Sequence, residues 1–190
     1  MDPVAALEAG LPVLLPTDTV YGLVSAPGEE PARALYELKG RERTQPSAIL
    51  APTMDALLGA LPELDVEQLR KLLPGPYTLV VRNPAGRFAW LTGGQPGPIG
   101  VRVPELPRPT HRIVEAIGVV LATSANDPGG PNPITLEDVP RRIRDGCGAE
   151  LDLGPLPGAP STVIDLTSDE PRILREGAVP ATEALRRLRD

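Results

Sequence analysis

Two short apolar runs in this chain each end in a row of small oxygen-bearing side chains instead of an ordinary turn. Residues 13–15 lie between prolines and lead into Thr17, Asp18 and Thr19, and residues 119–122 lead into Thr123-Ser124-Ala125-Asn126. Apolar runs of this length, bounded by turn residues, predict buried strands. Because ligands of open α/β sheets bind where strands end, both strands are expected to present donors and acceptors to a ligand.

A helix is predicted shortly after the first strand. Glu29 and Glu30 would lie near the positive end of its dipole, a proline stands in its first turn, and apolar residues follow at helical spacing. The helix ends with two cations, Lys39 and Arg41, whose simplest interpretation is dipole compensation on a solvated helix end. Lys39 nevertheless stands out, because only two of the 19 basic residues are lysines. A chain that nearly always uses arginine has a compact ammonium at this position.

The rest of the chain alternates predicted strands and helices, separated by prolines and glycines. Strands are predicted over residues 47–50, 77–81, 99–103, 161–166 and 172–175 from their apolar and β-branched content. Helices are predicted over 2–10, 53–61, 65–73, 109–117, 135–144 and 182–189 from capping residues and apolar spacing. Residues 83–98, 127–131 and 151–160 are predicted loops. At 190 residues, the chain is expected to form a single domain over residues 1–190.

Several charged residues have more than one interpretation. Arg102 falls inside an apolar strand, and because burying an unpaired guanidinium is costly, it lies either on an edge strand or against an anion. The basic residues of the 135–144 helix stand late in it, as on a solvated helix end. The one histidine, His111, has no acid pair near it on its predicted helix, so it is given no role.

Charge and cysteine content exclude several classes of protein. A net charge of −6 argues against a protein held on nucleic acid by bulk electrostatics. Cys147 is the single cysteine, which excludes an internal disulfide and a cysteine-built metal cage and fits a reducing compartment. No apolar run reaches membrane-spanning length and no leader is evident, so a cytoplasmic protein without membrane contact is expected.

Familiar catalytic motifs are missing from the sequence. It contains no GxxxxGK[ST] phosphate loop, no GxGxxG after a strand, no HExxH and no nucleophile elbow. Hydroxyls, an amide and four cations remain near the predicted strand ends, the cations being Lys39, Arg41, Arg102 and Arg175. Such a set suits a reaction in which substrates attack one another while the protein positions them and stabilises phosphate charge.

Six short motifs in a fixed order resemble a known family. They are LPTDTVYGL, LKGR with Pro46 five residues beyond Arg41, GVRVP, ATSAN, STVID and ILREGA. No single motif is decisive, but six in compatible register make coincidence improbable. Over most of its length the chain is similar to the YrdC-like threonylcarbamoyl-adenylate synthases of the short, single-domain type.

The resemblance implies a fold and a reaction. The fold would be a twisted, open, mixed α/β sheet flanked by helices, with a positively charged concave face. The reaction would join L-threonine, bicarbonate or CO₂, and ATP into threonylcarbamoyl-adenylate with release of diphosphate. Mg²⁺ would arrive with ATP, without a protein-bound structural metal. The product would serve threonylcarbamoyladenosine formation at position 37 of tRNA, with transient contact to the transferase machinery and weak or no direct nucleic-acid binding.

The family's pattern also implies roles for residues of this chain. Lys39, Arg41, Ser124 and Asn126 would form its signature catalytic tetrad. ATP would contact Lys39, Arg41, Arg102, Asn126 and Arg175. L-threonine would contact Thr17, Ser124 and Ser161.

Some positions depart from the family's usual pattern. Val24 stands where relatives often have Gly, and Ser47 where they usually have Leu. Leu106 stands where many have His, which weakens any role of that position in binding threonine. Asp127-Pro128-Gly129 replaces a small polar turn. None of these changes removes a member of the tetrad.

Three other functions stay open. A related enzyme that makes carbamoyl-adenylate usually carries zinc-finger and acylphosphatase modules, for which a chain of 190 residues has no room. A non-catalytic RNA-binding or ribosome-maturation module is disfavoured by the net charge. A degenerate paralogue is disfavoured by the intact Ser124-Ala125-Asn126.

Overall fold

The computed structural model describes residues 1–40, 47–92 and 97–189, with Thr92 described for its backbone alone. Its strands are β1 (Val13–Pro16), β2 (Tyr21–Ser25), β3 (Ala48–Leu50), β4 (Tyr77–Val81), β5 (Ile99–Arg102), β6 (Val120–Ser124), β7 (Ala149–Glu150), β8 (Thr162–Asp165) and β9 (Arg172–Arg175). Its α-helices are α1 (Pro3–Glu8), α2 (Glu29–Lys39), α3 (Met54–Ala60), α4 (Val66–Arg70), α5 (Arg108–Ile117), α6 (Arg141–Asp145) and α7 (Ala181–Arg189).

These strands form one mixed sheet in the order β7-β1-β2-β6-β3-β5-β4-β8-β9. The pairs β1–β7, β3–β5 and β4–β8 are parallel, and the other neighbours are antiparallel. The terminal strands β7 and β9 do not pair with each other within the described ranges, so the sheet is open. The predicted α/β class with an open mixed sheet flanked by helices is therefore confirmed. The positive charge expected on its concave face stays a prediction.

One face of the sheet is covered by five of the described helices. Successive side chains of a strand point to opposite faces, and Leu14, Leu23, Ile49 and Leu121 belong to one large buried cluster. The same cluster takes in apolar residues of α2, α3, α4, α6 and α7, namely Leu35, Tyr36, Leu57, Leu69, Ile143 and Ala184. Burial of this apolar surface is the main contribution to holding the helices on the sheet.

The opposite face is covered by helices at one end. Val13, Leu15 and Val120 pack there in a smaller cluster, together with Leu7 of α1 and Val114 of α5. Farther along the sheet, the same face of β3, β4, β5, β6 and β8 lines a hollow. The fold thus leaves the middle of the sheet accessible to a ligand from this side.

The helix predicted over residues 135–144 is wrong in its first half. The structure begins α6 at Arg141, directly after Pro140. A proline disfavours helical geometry in the residue before it and supplies no N–H for a helical hydrogen bond. Residues 134–139 form turns instead, in which the Asp138 carboxylate accepts hydrogen bonds from the amides of Ile134 (3.1 Å) and Thr135 (2.8 Å).

Other boundaries differ less from expectation. β2 and the two-residue β7 are not predicted from the sequence, and the helix that starts after Asp65 ends at Arg70 rather than at residue 73. The predicted loop over 83–98 contains a 3₁₀ helix, Ala89–Thr92. The predicted caps are confirmed, since the side chains of Thr53 and Asp65 accept hydrogen bonds from helix amides. None of the described helices is long and apolar enough to cross a membrane.

Candidate functional site

The floor of the hollow is built from residues with almost no side chain. Ala48, Gly100 and Ala122 are cross-strand neighbours on β3, β5 and β6, and all three line a cavity of about 540 Å³. A Cβ atom on Gly100 would lie 3.3 Å from the Ala48 Cβ and 3.5 Å from Cγ2 of Thr78. Because these positions are small, a ligand can approach the sheet closely there.

The rim of this cavity is polar on some sides and apolar on another. Hydroxyls of Thr19, Thr78 and Ser161 and the guanidinium groups of Arg102 and Arg175 line it. The apolar part is formed by Val80, Val163 and Leu174, the last of which is 57% exposed. A molecule with both a charged group and an apolar surface would fit this lining.

A second cavity of about 300 Å³ adjoins the first. Ser124, Asn132 and Arg175 line both, and the second adds Lys39, Asn126 and residues 127–130. The two cavities therefore form one continuous site, in which Arg102 and Arg175 line the first cavity and Lys39 and Arg175 line the second.

Lys39 and Asn126 meet at the second cavity. The Lys39 ammonium donates hydrogen bonds to the Ser124 carbonyl oxygen (2.5 Å), to Oδ1 of Asn126 (2.6 Å) and to the Asn126 carbonyl oxygen. Ser124 Oγ donates to the same Asn126 Oδ1 (2.7 Å). Lys39 is only 3% exposed, so its interpretation as a solvated helix end is wrong. Of the predicted tetrad, the structure brings together Lys39, Ser124 and Asn126, whereas Arg41 lies outside the described residues.

Arg102 forms a largely buried ion pair with Asp18. Its Nη2 atom lies 2.8 Å from Oδ1 of Asp18, and the two side chains are 11% and 8% exposed. Since β5 lies between β3 and β4, the edge-strand alternative is wrong and the anion alternative is confirmed. Asp18 Oδ2 and Arg102 Nε have no hydrogen-bond partner among the described residues. From the sequence, Asp18 carries no predicted role, since its only signal is a carboxylate among the small polar residues after β1.

Arg175 and Ser161 meet at the first cavity. Arg175 Nη2 donates to the Ser161 carbonyl oxygen (2.9 Å) and to Ser161 Oγ (3.2 Å), and this hydroxyl lies 2.8 Å from Oγ1 of Thr78. Partial burial lowers the pKa of Arg175, and the nearby positive charge of Arg102 lowers it further. A bound anion would therefore relieve the repulsion between the two guanidinium groups.

Thr17 lies in the turn between β1 and β2. Its hydroxyl donates to the Val20 carbonyl oxygen (2.7 Å) and accepts from the Val20 amide (3.3 Å). These bonds stabilise the turn, and Thr19 rather than Thr17 lines the cavity. The predicted contact of Thr17 with threonine stays a prediction.

Tyr21 holds the 151–160 loop beside the site through hydrogen bonds of its hydroxyl. Its hydroxyl donates to the Asp152 carboxylate (2.7 Å) and accepts from the Leu153 amide (3.2 Å). Burial raises the pKa of Tyr21, and the hydrogen bond and charge of Asp152 add to this effect. The Gly158 amide also donates to the Thr19 carbonyl oxygen (2.8 Å). The loop that leads into Ser161 is thus held at both ends, a contact that the sequence analysis missed.

Two further kinds of chemistry, metal binding and thiol catalysis, can be checked against the described residues. The described ranges contain no group of three or more His, Cys, Asp or Glu side chains that could hold a metal ion. Burial raises the pKa of the Cys147 thiol to about 12, so this cysteine is a poor nucleophile near neutral pH.

Comparisons with known proteins agree with this geometry. The Sua5/YciO/YrdC family model, described as "Telomere recombination", matches residues 5–177. The chain belongs to this family. A putative threonylcarbamoyl-AMP synthase of Mycobacterium tuberculosis (strain H37Rv) is 35% identical over 181 residues, which cover 93% of this chain and 82% of that protein. The threonylcarbamoyl-AMP synthase of Chromohalobacter salexigens is 35% identical over 175 residues, covering 89% of this chain and 93% of that protein.

Solved structures of the family share the fold. Pyrococcus abyssi Sua5 complexed with L-threonine superposes with a TM-score of 0.86 at 30% identity, over 97% of this chain and 56% of that chain. The chain thus spans just over half of the archaeal protein. Escherichia coli YciO superposes with a TM-score of 0.81 over 93% of this chain and 88% of its own, and at 24% identity it supports the fold alone.

Proposed function

We propose that this chain is an L-threonylcarbamoyladenylate synthase, formed as a single domain over residues 1–190. It condenses L-threonine, bicarbonate or CO₂, and ATP into threonylcarbamoyl-AMP and diphosphate. The observation that carries the proposal is the convergence of Lys39, Ser124 and Asn126 at the second cavity, where Ser124 also lines the adjoining first cavity. Relatives that match nearly the whole chain are named threonylcarbamoyl-AMP synthases.

The reaction needs no nucleophile from the protein. The amine of threonine adds to the carbon of CO₂ or bicarbonate and loses a proton, which gives a carbamate (and water, when bicarbonate is the source). A carbamate oxygen then attacks the α-phosphorus of ATP, and the bond to the bridging oxygen of diphosphate breaks. Negative charge grows on the phosphate oxygens as this happens, so the protein accelerates the step by holding the reactants together and supplying fixed positive charge.

The residues of the site divide between the two substrates. Lys39 acts as a compact positive charge at the phosphates, and Arg41 adds a guanidinium fork. Arg102, Asn126 and Arg175 complete the contacts to ATP. Thr17, Ser124 and Ser161 contact L-threonine. The hydroxyl of Ser161 and the guanidinium of Arg175 lie 3.2 Å apart, which supports binding of the two substrates side by side.

Mg²⁺ enters as the partner of the ATP phosphates. The chemistry of the cavity walls suits phosphate oxygens, because its donors are cations, hydroxyls and amides. The carboxylates of Asp18 and Asp127 are both paired with arginines. A cation that needs several oxygen ligands is therefore better held by the nucleotide than by this chain.

The product is consumed by transfer to tRNA. We place the enzyme in the cytoplasm, where threonylcarbamoyl-AMP passes to the transferase machinery that modifies adenosine 37 of tRNA. A net charge of −6 supports transient contact with that machinery over direct binding of nucleic acid.

Diphosphate release from Mg-ATP tests the function directly. It is measured with threonine and bicarbonate present and with each omitted in turn, and the nucleotide product is identified by mass spectrometry. We expect release to require both co-substrates and to yield threonylcarbamoyl-AMP. Release that ignores threonine, or that requires carbamoyl phosphate instead, would assign the site to carbamoyl-adenylate formation. Tight, salt-sensitive RNA binding without any release would favour the non-catalytic alternative.

A further inference from the structure

Arg142 of α6 contacts two separate segments of the catalytic wall. Its Nη1 atom donates to the Leu38 carbonyl oxygen (2.5 Å), and its Nη2 atom donates to the Lys39 carbonyl oxygen (3.3 Å). Nη2 also forms an ion pair with the Asp127 carboxylate. One guanidinium group therefore joins the C-terminal end of α2 to the loop that follows Asn126.

The contact with α2 satisfies groups that a helix end leaves unpaired. The last carbonyls of a helix lack intrahelical partners and carry partial negative charge, which a guanidinium complements. Gly146, at the C-terminal end of α6, packs closely on the side chain of Leu38. A Cβ atom there would approach Cδ1 of Leu38 to 2.4 Å. Arg142 is thus held over the final turn that carries Lys39.

The contact with Asp127 acts on the other segment. Asp127 follows Asn126 directly, and its carbonyl oxygen accepts a hydrogen bond from the Gly130 amide (2.9 Å). The Gly130 carbonyl oxygen in turn accepts from Nδ2 of Asn126 (2.7 Å). Fixing the Asp127 carboxylate therefore fixes the loop that orients the Asn126 amide, whose Oδ1 atom receives the Lys39 ammonium.

The neighbouring arginines of α6 make different contacts. Arg141 is 92% exposed and pairs with Asp145 on its own helix, whereas Arg144 pairs with Glu150 (2.8 Å). Arg141 thus fits the interpretation of this basic cluster as a solvated helix end, whereas the half-exposed Arg142 also contacts α2 and Asp127. The contrast also supplies a matched control, because Arg141 and Arg142 are adjacent arginines on one short helix.

We propose that Arg142 is a positioning residue that, together with Asp127, fixes the Lys39 ammonium against the Asn126 amide. Arg142 lines neither cavity among the described residues, so it acts through these two groups and not on the substrates. The proposal rests on the proposed function insofar as Lys39 and Asn126 serve ATP turnover. Its structural part is independent of the reaction. This part is the position of the Lys39 ammonium against the Asn126 amide, called the seating of Lys39 below.

The first measurement compares steady-state diphosphate release by the wild type, Arg142→Ala and Arg141→Ala. We expect Arg142→Ala to lower kcat about tenfold, because misplacing a catalytic group by a fraction of an ångström weakens transition-state contacts. The KM for threonine should stay within about twofold, and Arg141→Ala should match the wild type. Arg142→Lys keeps a charge without the fork and should recover part of kcat. Equal kcat values for the two alanine variants would overturn the proposal.

The second measurement does not need activity. The chain has two lysines, Lys39 and Lys71, and Lys71 is exposed, so it serves as an internal reference for amine acetylation followed by mass spectrometry. Arg142→Ala should raise Lys39 labelling relative to Lys71 about threefold or more as its seating opens locally. Arg141→Ala should leave the ratio unchanged. A ratio unaffected by Arg142→Ala would overturn the proposal.

The two measurements separate the proposal from the function beneath it. If the wild type releases no diphosphate, the proposed function fails, while the labelling ratio still tests the seating of Lys39. If Arg142→Ala does not fold by circular dichroism, Asp127→Asn replaces it in both assays, because it removes the same ion pair from the other side. Asp127→Asn with wild-type kcat and labelling would then overturn the proposal.

Discussion

At the scale of single residues, the site depends on where charged side chains find partners. Lys39 ends a helix, a position where lysine usually extends into solvent, yet here three oxygen atoms surround its ammonium. An ammonium has three N–H donors and no acceptor, and its bonds to these described oxygen atoms already match that number. Arriving phosphate oxygens must therefore replace or share contacts that Lys39 already makes.

Lys39→Ala should abolish most turnover while the protein still folds. Losing one such electrostatic contact with the transition state costs ~10²–10³ in rate. The substitution also removes the donor from three oxygen atoms, and this loss should lower the free energy of unfolding by about 1–3 kcal/mol. Diphosphate release and urea unfolding measure the two effects, and Lys71→Ala is the control. Near-normal activity of Lys39→Ala would contradict the assignment.

Asp18→Asn tests the buried ion pair with Arg102. The substitution keeps the shape of the side chain but removes the negative charge that pairs with the Arg102 guanidinium. The Arg102 side chain is only 11% exposed, so water cannot replace that charge fully. We expect a loss of about 3 kcal/mol in the free energy of unfolding and a higher KM for ATP, since Arg102 is no longer held. Urea unfolding and steady-state kinetics are the measurements. Glu63→Gln removes an exposed pair with Arg87 and should change neither quantity appreciably.

At the scale of helices and strands, the sequence predicted those elements that carry their own local signals. The strands over residues 77–81 and 172–175 and the capped helices after Thr53 and Asp65 are marked by β-branched content or capping side chains. The strand β2 was missed because its residues, Tyr21–Ser25, are buried on both faces and show no alternation of polar and apolar residues. The predicted helix over 135–144 is wrong in its first half because Pro140 prevents helical geometry there, and the charge pattern does not show this.

The hairpin of β8 and β9 should be sensitive to acid through Asp165. Hydrogen bonds from the Thr167 hydroxyl (2.6 Å) and amide (2.9 Å), then the Arg172 guanidinium (2.6 Å), lower the pKa of Asp165. Because the folded-state pKa lies below the ordinary value, this stabilisation is present above that value and is lost as pH falls through the folded pKa. The unfolding free energy should therefore decline below about pH 4.

Asp165→Asn separates this effect from general acid denaturation. The variant should be less stable at pH 7 by about 1–2 kcal/mol, and the difference from the wild type should shrink as the pH is lowered. Chemical unfolding at a series of pH values measures it. A difference that stays constant between pH 7 and pH 3 would show that Asp165 is not the titrating group. Loosening of this hairpin should also lower turnover, because β9 carries Arg175.

At the scale of the whole molecule, function follows from what the helices leave uncovered. Residues distant in sequence reach one site because β6, β3, β5, β4 and β8 are neighbours in the sheet, an order that local sequence signals do not contain. From the sequence, Lys39, Ser124, Asn126, Arg102 and Arg175 were candidates because they lie near predicted strand ends, and the family resemblance then implied their roles. Other contacts depend on tertiary packing and became evident only in the structure. They are the pairing of Arg102 with Asp18, the contacts of Arg142, and the hydrogen bonds of Tyr21 to the 151–160 loop.

Gly100 offers the sharpest test of the hollow as the substrate site. Gly100→Leu would place a branched side chain in the middle of the cavity floor. Its Cβ atom alone would lie 3.3 Å from the Cβ of Ala48. We expect the protein to fold, since this face of the sheet is open there, but to lose at least ~10²-fold in kcat/KM as the side chain displaces substrate. Gly100→Ala, which adds only that Cβ, should be affected far less. Gly59→Leu is the control for size alone, because a Cβ at Gly59 meets nothing within 4 Å and α3 lies on the opposite face. If Gly100→Leu folds and retains wild-type kcat/KM, the reaction does not take place in this hollow, and the roles assigned to Arg102, Ser161 and Arg175 fail with it.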